Sequence, residues 1–128
     1  MFHSILALST GAVTGAFLRW RLGLWLNAVF PAMPLGTLVA NLIGGYIIGV
    51  AASVFALFPD MGARWSILVI TGFLGSLTTF SSFSYEVASL IQQGKLLAAG
   101  GVIAAHVCGS LAMTFLGMGT VMLLRPAA

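Results

Sequence analysis

Long apolar runs separated by short polar segments organise this chain. Crossing a hydrocarbon core takes about 20 largely apolar residues, and four stretches are long enough: Phe2 to Leu26, Leu35 to Phe58, Trp65 to Gln92 and Leu96 to Leu124. Between them lie "NAVFPAMP", "PDMGAR" and "QQGK", where prolines, Asp60 and Lys95 make natural turns. The pattern predicts an all-α membrane protein, a single domain over 1–128 with four transmembrane helices and three short loops. So little mass outside the membrane argues against an active site with a soluble lid.

Composition strengthens this reading. Sixty per cent of the residues are hydrophobic, while five Lys and Arg and two Asp and Glu are too few to cover a soluble domain. The mean hydropathy is +1.13. Met1-Phe2-His3-Ser4 lacks a basic residue, so the first run is expected to be a retained helix rather than a cleaved signal peptide. The net charge of +3 belongs to headgroup-facing helix ends rather than to a nucleic-acid surface. With four spans, Arg64 and Arg125 share one side and Arg19, Arg21 and Lys95 the other. Two against three is almost no bias, and such a chain can insert both ways round. The single Cys108 excludes an intramolecular disulfide and reads as a small packing residue.

Small residues mark close helix contacts in membranes. Gly11 and Gly15 form one GxxxG, Gly45 and Gly49 another, and the fourth run adds Gly100, Gly101, Gly109, Gly117 and Gly119. These pairs suit contacts within the chain or between chains. Because a four-helix core is normally filled by side chains, a conducting pathway belongs at or beside a subunit interface, and a homo-oligomer is expected, a dimer being the simplest case.

Polar groups inside the apolar runs carry the chemistry. Asn41, one turn after Thr37, must bond to protein or to water, because an amide is costly in hydrocarbon. An interhelical hydrogen bond and a pore-lining donor are both open. His106, Ser110 and Thr114 are spaced four and four and share one helix face. In the third run, "GSLTTFSSFSYE" is poor in strong helix formers, and its hydroxyls compete with backbone hydrogen bonds. A break around Thr78 to Ser82 is therefore expected. Irregular backbone at membrane depth is tolerated where it is buried in protein or lines a cavity, and it is a recurring way to build an ion site.

The donors at Asn41, Thr79, Ser81, Ser82, Ser110 and Thr114 suit an anion, since the membrane interior offers only Glu86 as a carboxylate. Phe80 and Phe83 either pack or turn positive ring edges toward such an ion. Arg19 and Glu86 lie near span ends, where a side chain can snorkel or flank an aqueous vestibule.

Four stretches, "FLRW" at 17–20, "GTLVANLIGG" at 36–45, "TGFLGSLTTFSSFSYE" at 71–86 and "HVCGSL" at 106–111, resemble the Fluc fluoride channels of bacteria, also called CrcB proteins. The resemblance runs over all four spans and implies an antiparallel, dual-topology homodimer with two pores in the bacterial cytoplasmic membrane. It implies a passive, fluoride-selective channel that exports fluoride and confers resistance to it, and no enzyme. Asn41, Phe80, Phe83, Ser81, Ser82, Ser110 and Thr114 would then form or border the fluoride pathway. Arg19 would sit at the vestibule and Glu86 near the opposite end. A structural sodium ion at the dimer interface would be held by backbone carbonyls at Gly75 and Thr78, with no organic cofactor. His106 stands where members vary.

Two other readings have distinct signatures. A proton-coupled small multidrug-type exporter would carry a carboxylate inside the first span, where this chain has none. A fluoride/proton exchanger working through Glu86 or His106 would need a pH gradient. No triad or metal-site spacing points to an enzyme.

Overall fold

The computed structural model describes residues 1–31 and 33–126, and all their regular structure is helical. Helix α1 runs Phe2–Leu26 and α2 runs Leu35–Leu57. The third apolar run is a composite. After a 3-10 turn at Pro59–Met61 come a short α3 (Ala63–Ser66), a π-helical segment (Ile67–Leu74) and one turn of α-helix, α4 (Gly75–Leu77). Two extended residues follow, then α5 (Phe80–Gln92), and α6 (Leu96–Leu124) completes the chain.

Three of the four rods, Leu35–Leu57, Ala63–Gln92 and Leu96–Leu124, are both long and apolar enough to cross a membrane. The first rod is not among them. At 25 residues it is about 37 Å long, which suffices for a span, but Ser4, Ser9, Thr10, Thr14, Arg19 and Arg21 dilute its apolar character.

The expected break in the third rod is present but shorter and displaced toward its start. Only Thr78 (φ −82°, ψ 154°) and Thr79 (φ −149°, ψ 119°) are extended. Ser81 and Ser82 already belong to the first turn of α5, because Thr79 caps that helix: its Oγ1 accepts the Ser82 N–H at 3.1 Å. The hydroxyls that discourage helix at Thr78 and Thr79 thus start a new one at Phe80.

The glycine pairs work within the chain. A Cβ on Gly11 would lie 2.8 Å from Phe73 N and collide with Leu68 O, and one on Gly15 would meet Phe73 O and the Ser76 hydroxyl. Helix α1 therefore lies backbone to backbone on the π-helical segment. In the same way Gly45 and Gly49 seat α2 on the Ser110 and Thr114 backbone of α6, and Gly117 receives Tyr46 and Val50 in return. A Cβ on Gly100, Gly101 or Gly119 would meet no described residue within 4 Å, so these three take no part in that seam.

Leu22, Ala40, Leu74 and Leu77 form one core between α1, α2 and the upper third rod. Phe83, Leu90, Ala99 and Val102 form a second between α5 and α6. The α5–α6 turn is a Schellman closure: Lys95 N–H donates to Leu90 O at 2.9 Å and Gly94 N–H to Ile91 O at 3.0 Å. Gly94 takes φ +74°, which favours glycine there.

Candidate ion site at the helix break

Breaking a helix inside a membrane exposes peptide groups, and each must find a partner. Thr78 N–H and its hydroxyl both donate to Leu74 O, at 3.0 and 2.8 Å. The Ser76 carbonyl accepts Arg19 Nε–H at 2.9 Å, so α1 reaches across to cap the upper half-helix with a charged donor. Thr79 N–H would bond Gly75 O in a continuous helix. Instead it donates to Asn41 Oδ1 at 2.8 Å, and Asn41 Nδ2 donates back to Thr79 O at 3.1 Å. A side chain from α2 thus pairs with the Thr79 peptide as a neighbouring strand would, leaving the Gly75 carbonyl without its helical partner.

Around this link lie two cavities. One, of about 470 Å³, is lined by Asn41, Gly44, Gly45, Gly75, Thr78, Thr79, Phe80, Phe83, His106 and Ser110, with Ile48, Ile70, Leu74 and Val107. The other, of about 540 Å³, has Arg19, Asn27, Thr37, Thr79 and Ser82 among its walls. Thr79 is common to both. Although one turn apart on α2, Asn41 and Thr37 face different cavities, Asn41 the first and Thr37 the second.

The two phenylalanines differ in environment. Phe83 is 8% exposed and Phe80 78% exposed. Their ring centroids are 5.6 Å apart at 58°, and the His106 ring lies 4.6 Å from Phe83 at 36°. His106 is itself only 4% exposed. Its Nδ1 is 3.0 Å from Asn41 Nδ2, while Nε2 is buried without a partner among the described residues.

The remaining residues singled out by sequence are distributed around this centre. Ser110 lines the first cavity, but Thr114 does not, and its hydroxyl donates to Ser110 O at 2.9 Å. Ser81 is exposed, with its hydroxyl 3.2 Å from Thr79 Oγ1, and Ser82 borders the second cavity. Glu86 lines neither cavity, and its Oε2 is buried with no partner among the described residues. Among those residues no cluster of His, Cys, Asp and Glu could hold a metal.

Sequence reasoning gave Thr79 too small a part. It is at once helix cap, wall of both cavities and partner of Asn41. The spacing of Thr79 and Ser82, a hydroxyl three residues ahead of a helical N–H, was the available signal. Nothing in the sequence announced the reach of Arg19 to a carbonyl 57 positions away.

Known proteins resemble this chain over most of its length. The family model described as CrcB-like protein, Camphor Resistance (CrcB) matches residues 6–118. A protein of Tolumonas auensis named fluoride-specific ion channel FluC is 60% identical over 125 residues, covering 98% of each chain. Its namesake from Pseudomonas putida is 59% identical over 120 residues, 94% of each chain. Another, from Desulfovibrio desulfuricans, is 54% identical over 125 residues, 98% of this chain and 97% of its own. Matched over nearly its whole length, with the broken third helix inside the matched region, the chain belongs to the CrcB family.

Proposed function

We propose that this protein is a fluoride-selective passive channel that lets cytoplasmic fluoride leave the cell down its electrochemical gradient. The observation that carries the reading is the full-length identity, up to 60%, to proteins named as fluoride-specific channels. The site's chemistry supports it. Fluoride is small and strongly hydrated, so a pore must offer substitutes for water. The first cavity offers the Ser110 hydroxyl and phenylalanine rings whose edges are positive. Among the described residues no Lys or Arg lines that cavity, so no fixed cation there grips the ion, and an ion that binds weakly can leave again. Arg19 borders the second cavity, suited to raising the local anion concentration in a vestibule.

Within this reading the fluoride pathway is formed by Phe80, Phe83 and Ser110, Thr114 continues it one turn along α6 beyond the first cavity, Asn41, Ser81 and Ser82 lie on its borders, and Arg19 and Glu86 lie toward its ends. The first rod is a fourth span. Its Thr10 and Thr14 hydroxyls donate to Leu6 O and Thr10 O at 2.8 Å each, which lowers their cost in lipid. Arg21 lies 4.7 Å over the Trp25 ring near its end, a pair suited to the membrane interface.

A second copy completes the site. Phe80 and Gly75 are exposed on one copy although both line the first cavity. An antiparallel homodimer covers them and carries two pores. The Gly75 and Thr78 carbonyls are the groups that would hold a structural sodium ion. Two carbonyls from one chain are fewer than the 6–8 oxygens a hard cation such as calcium gathers, and a second copy doubles them at the shared interface. The ion would supply charge that ties the two breaks together.

Transport needs no chemical energy. An inside-negative potential drives an anion outward with about 2.3 kcal/mol per charge per 100 mV. The decisive experiment is fluoride efflux from liposomes holding the purified protein, read with a fluoride electrode. Efflux should wait for valinomycin, which carries the compensating potassium, and chloride should stay behind. Efflux that instead requires an imposed pH gradient would replace the channel with an exchanger, for which the unpartnered Glu86 oxygen is the candidate proton site.

A further inference from the structure

Gly11, Gly15 and Arg19 recur every four residues on α1 and so share one helix face. The two glycines lay that face on the third rod, where a Cβ on Gly15 would lie 3.0 Å from Leu77 N. The seam therefore delivers Arg19 to the end of the upper half-helix. There its Nε–H donates to Ser76 O at 2.9 Å. In a continuous α-helix that carbonyl would accept the Phe80 N–H, four residues on. The Ser76 hydroxyl takes no part in the contact, because it is turned back to donate to Gly72 O at 2.8 Å. A guanidinium carries several N–H groups in a planar fork, and Ser76 O takes only the one on Nε. The terminal groups make no hydrogen bond among the described residues, and Arg19 shares the wall of the second cavity with Thr37, Thr79 and Ser82.

We propose that Arg19 is a positioning residue for the helix break as well as a vestibule charge, with the two tasks divided between its atoms. This rests on the fluoride-channel reading above. Nε holds the Ser76 carbonyl, and the terminal nitrogens stay available to an anion in the second cavity. Ser76 is half-buried, so its carbonyl needs a partner once the helix stops. With Nε in place, the Phe80 N–H cannot claim that carbonyl, Thr78 and Thr79 stay extended, and the Phe80 ring stays at the wall of the first cavity. Without that donor the nearest replacement is the Phe80 N–H itself. Taking it would carry the upper half-helix across the break and move the ring.

Side-chain chemistry separates the two tasks. Counted in bonds from Cα, glutamine has its amide nitrogen where arginine has Nε, whereas lysine has a methylene there and its charge one atom farther out. Arg19→Gln thus keeps the positioning donor without the charge, and Arg19→Lys keeps the charge without that donor. Fluoride efflux from liposomes is compared at low salt and at high salt of an impermeant anion added to both sides, where the field of the vestibule is screened. Arg19→Gln should fall below wild type at low salt and recover most of the flux at high salt. Arg19→Lys should stay down at least about tenfold at both, as loss of a charged hydrogen bond does. Proton exchange in protein labelled with 15N-arginine reads the bond itself. The Arg19 Nε–H, assigned by its disappearance in Arg19→Gln, should exchange far more slowly than those of the exposed Arg64 and Arg125. Wild-type flux in Arg19→Lys, equal loss in both variants at high salt, or an Arg19 Nε–H that exchanges as fast as the exposed ones would each overturn the proposal. A wild-type protein that conducts no fluoride would instead sink the channel reading, while the exchange rates still report on the hold of Arg19 on the break.

Discussion

At Phe80 and Phe83, packing and ion contact make different demands. Phe83 lies against the His106 ring and inside the α5–α6 core, so an aliphatic replacement there disturbs packing by roughly 1 kcal/mol. Phe80 is 78% exposed on a single chain, so its ring contributes little to that chain's own fold. A large functional effect at Phe80 would therefore report on the ring itself. Phe80→Ile is expected to leave the melting temperature within a few degrees and yet to lower fluoride efflux at least about tenfold, because isoleucine has no positive ring edge. Phe83→Ile should lower both. Wild-type flux with both rings replaced would show that they only pack.

At the scale of elements, the same change of residue has opposite signs at two glycines. Gly49 sits where a Cβ would meet Thr114 O and lie 3.0 Å from Met118 N, so Gly49→Ala must push α2 away from α6. The expected cost is about 1–3 kcal/mol. At Gly101 a Cβ meets nothing within 4 Å, so Gly101→Ala gains helix propensity of about 0.5–1 kcal/mol. Thermal melting of the two purified variants in detergent should move down and up respectively, and a shift of the same sign in both would refute the packing assignment. The sequence showed the rods and their glycine faces because period and length are local properties. It also showed that the third rod breaks, since the hydroxyl run at Thr78 to Ser82 is local chemistry. The span of the break was not legible, because it depends on Asn41 from another helix taking the Thr79 N–H. Neither was the π-helical segment Ile67–Leu74, whose apolar sequence reads as ordinary helix until Gly72 is pressed onto the Leu8 and Gly11 backbone of α1. Phe80 and Phe83 were legible as a pair, but their unequal burial follows from the course of α6. Thr114 was legible as part of a stripe, yet its hydroxyl turns back to its own helix.

For the whole molecule, topology follows from a near balance of charges. Basic residues near span ends set orientation by staying on the cytoplasmic side. Here Arg19, Arg21 and Lys95 oppose Arg64 and Arg125, and the two sets nearly cancel. Arg19 is further discounted, because its guanidinium is engaged with Ser76 O across the chain rather than free for headgroups. That leaves Arg21 and Lys95 against Arg64 and Arg125, an even division. An antiparallel dimer requires this, since both orientations must be made in similar amounts from one sequence. The α5–α6 turn allows a direct test, because Gln93 is exposed there. In a Cys108→Ser background, which removes the native thiol, a Gln93→Cys protein in intact cells should react to about half with a membrane-impermeant maleimide. Permeabilisation should complete the reaction. Adding two lysines to that turn should then draw it to the cytoplasmic side, sharply lowering the externally labelled fraction and, with antiparallel partners no longer available, the fluoride flux as well. Complete or absent labelling in the unshifted protein would mean a single orientation, and the two-pore antiparallel dimer would fall with it.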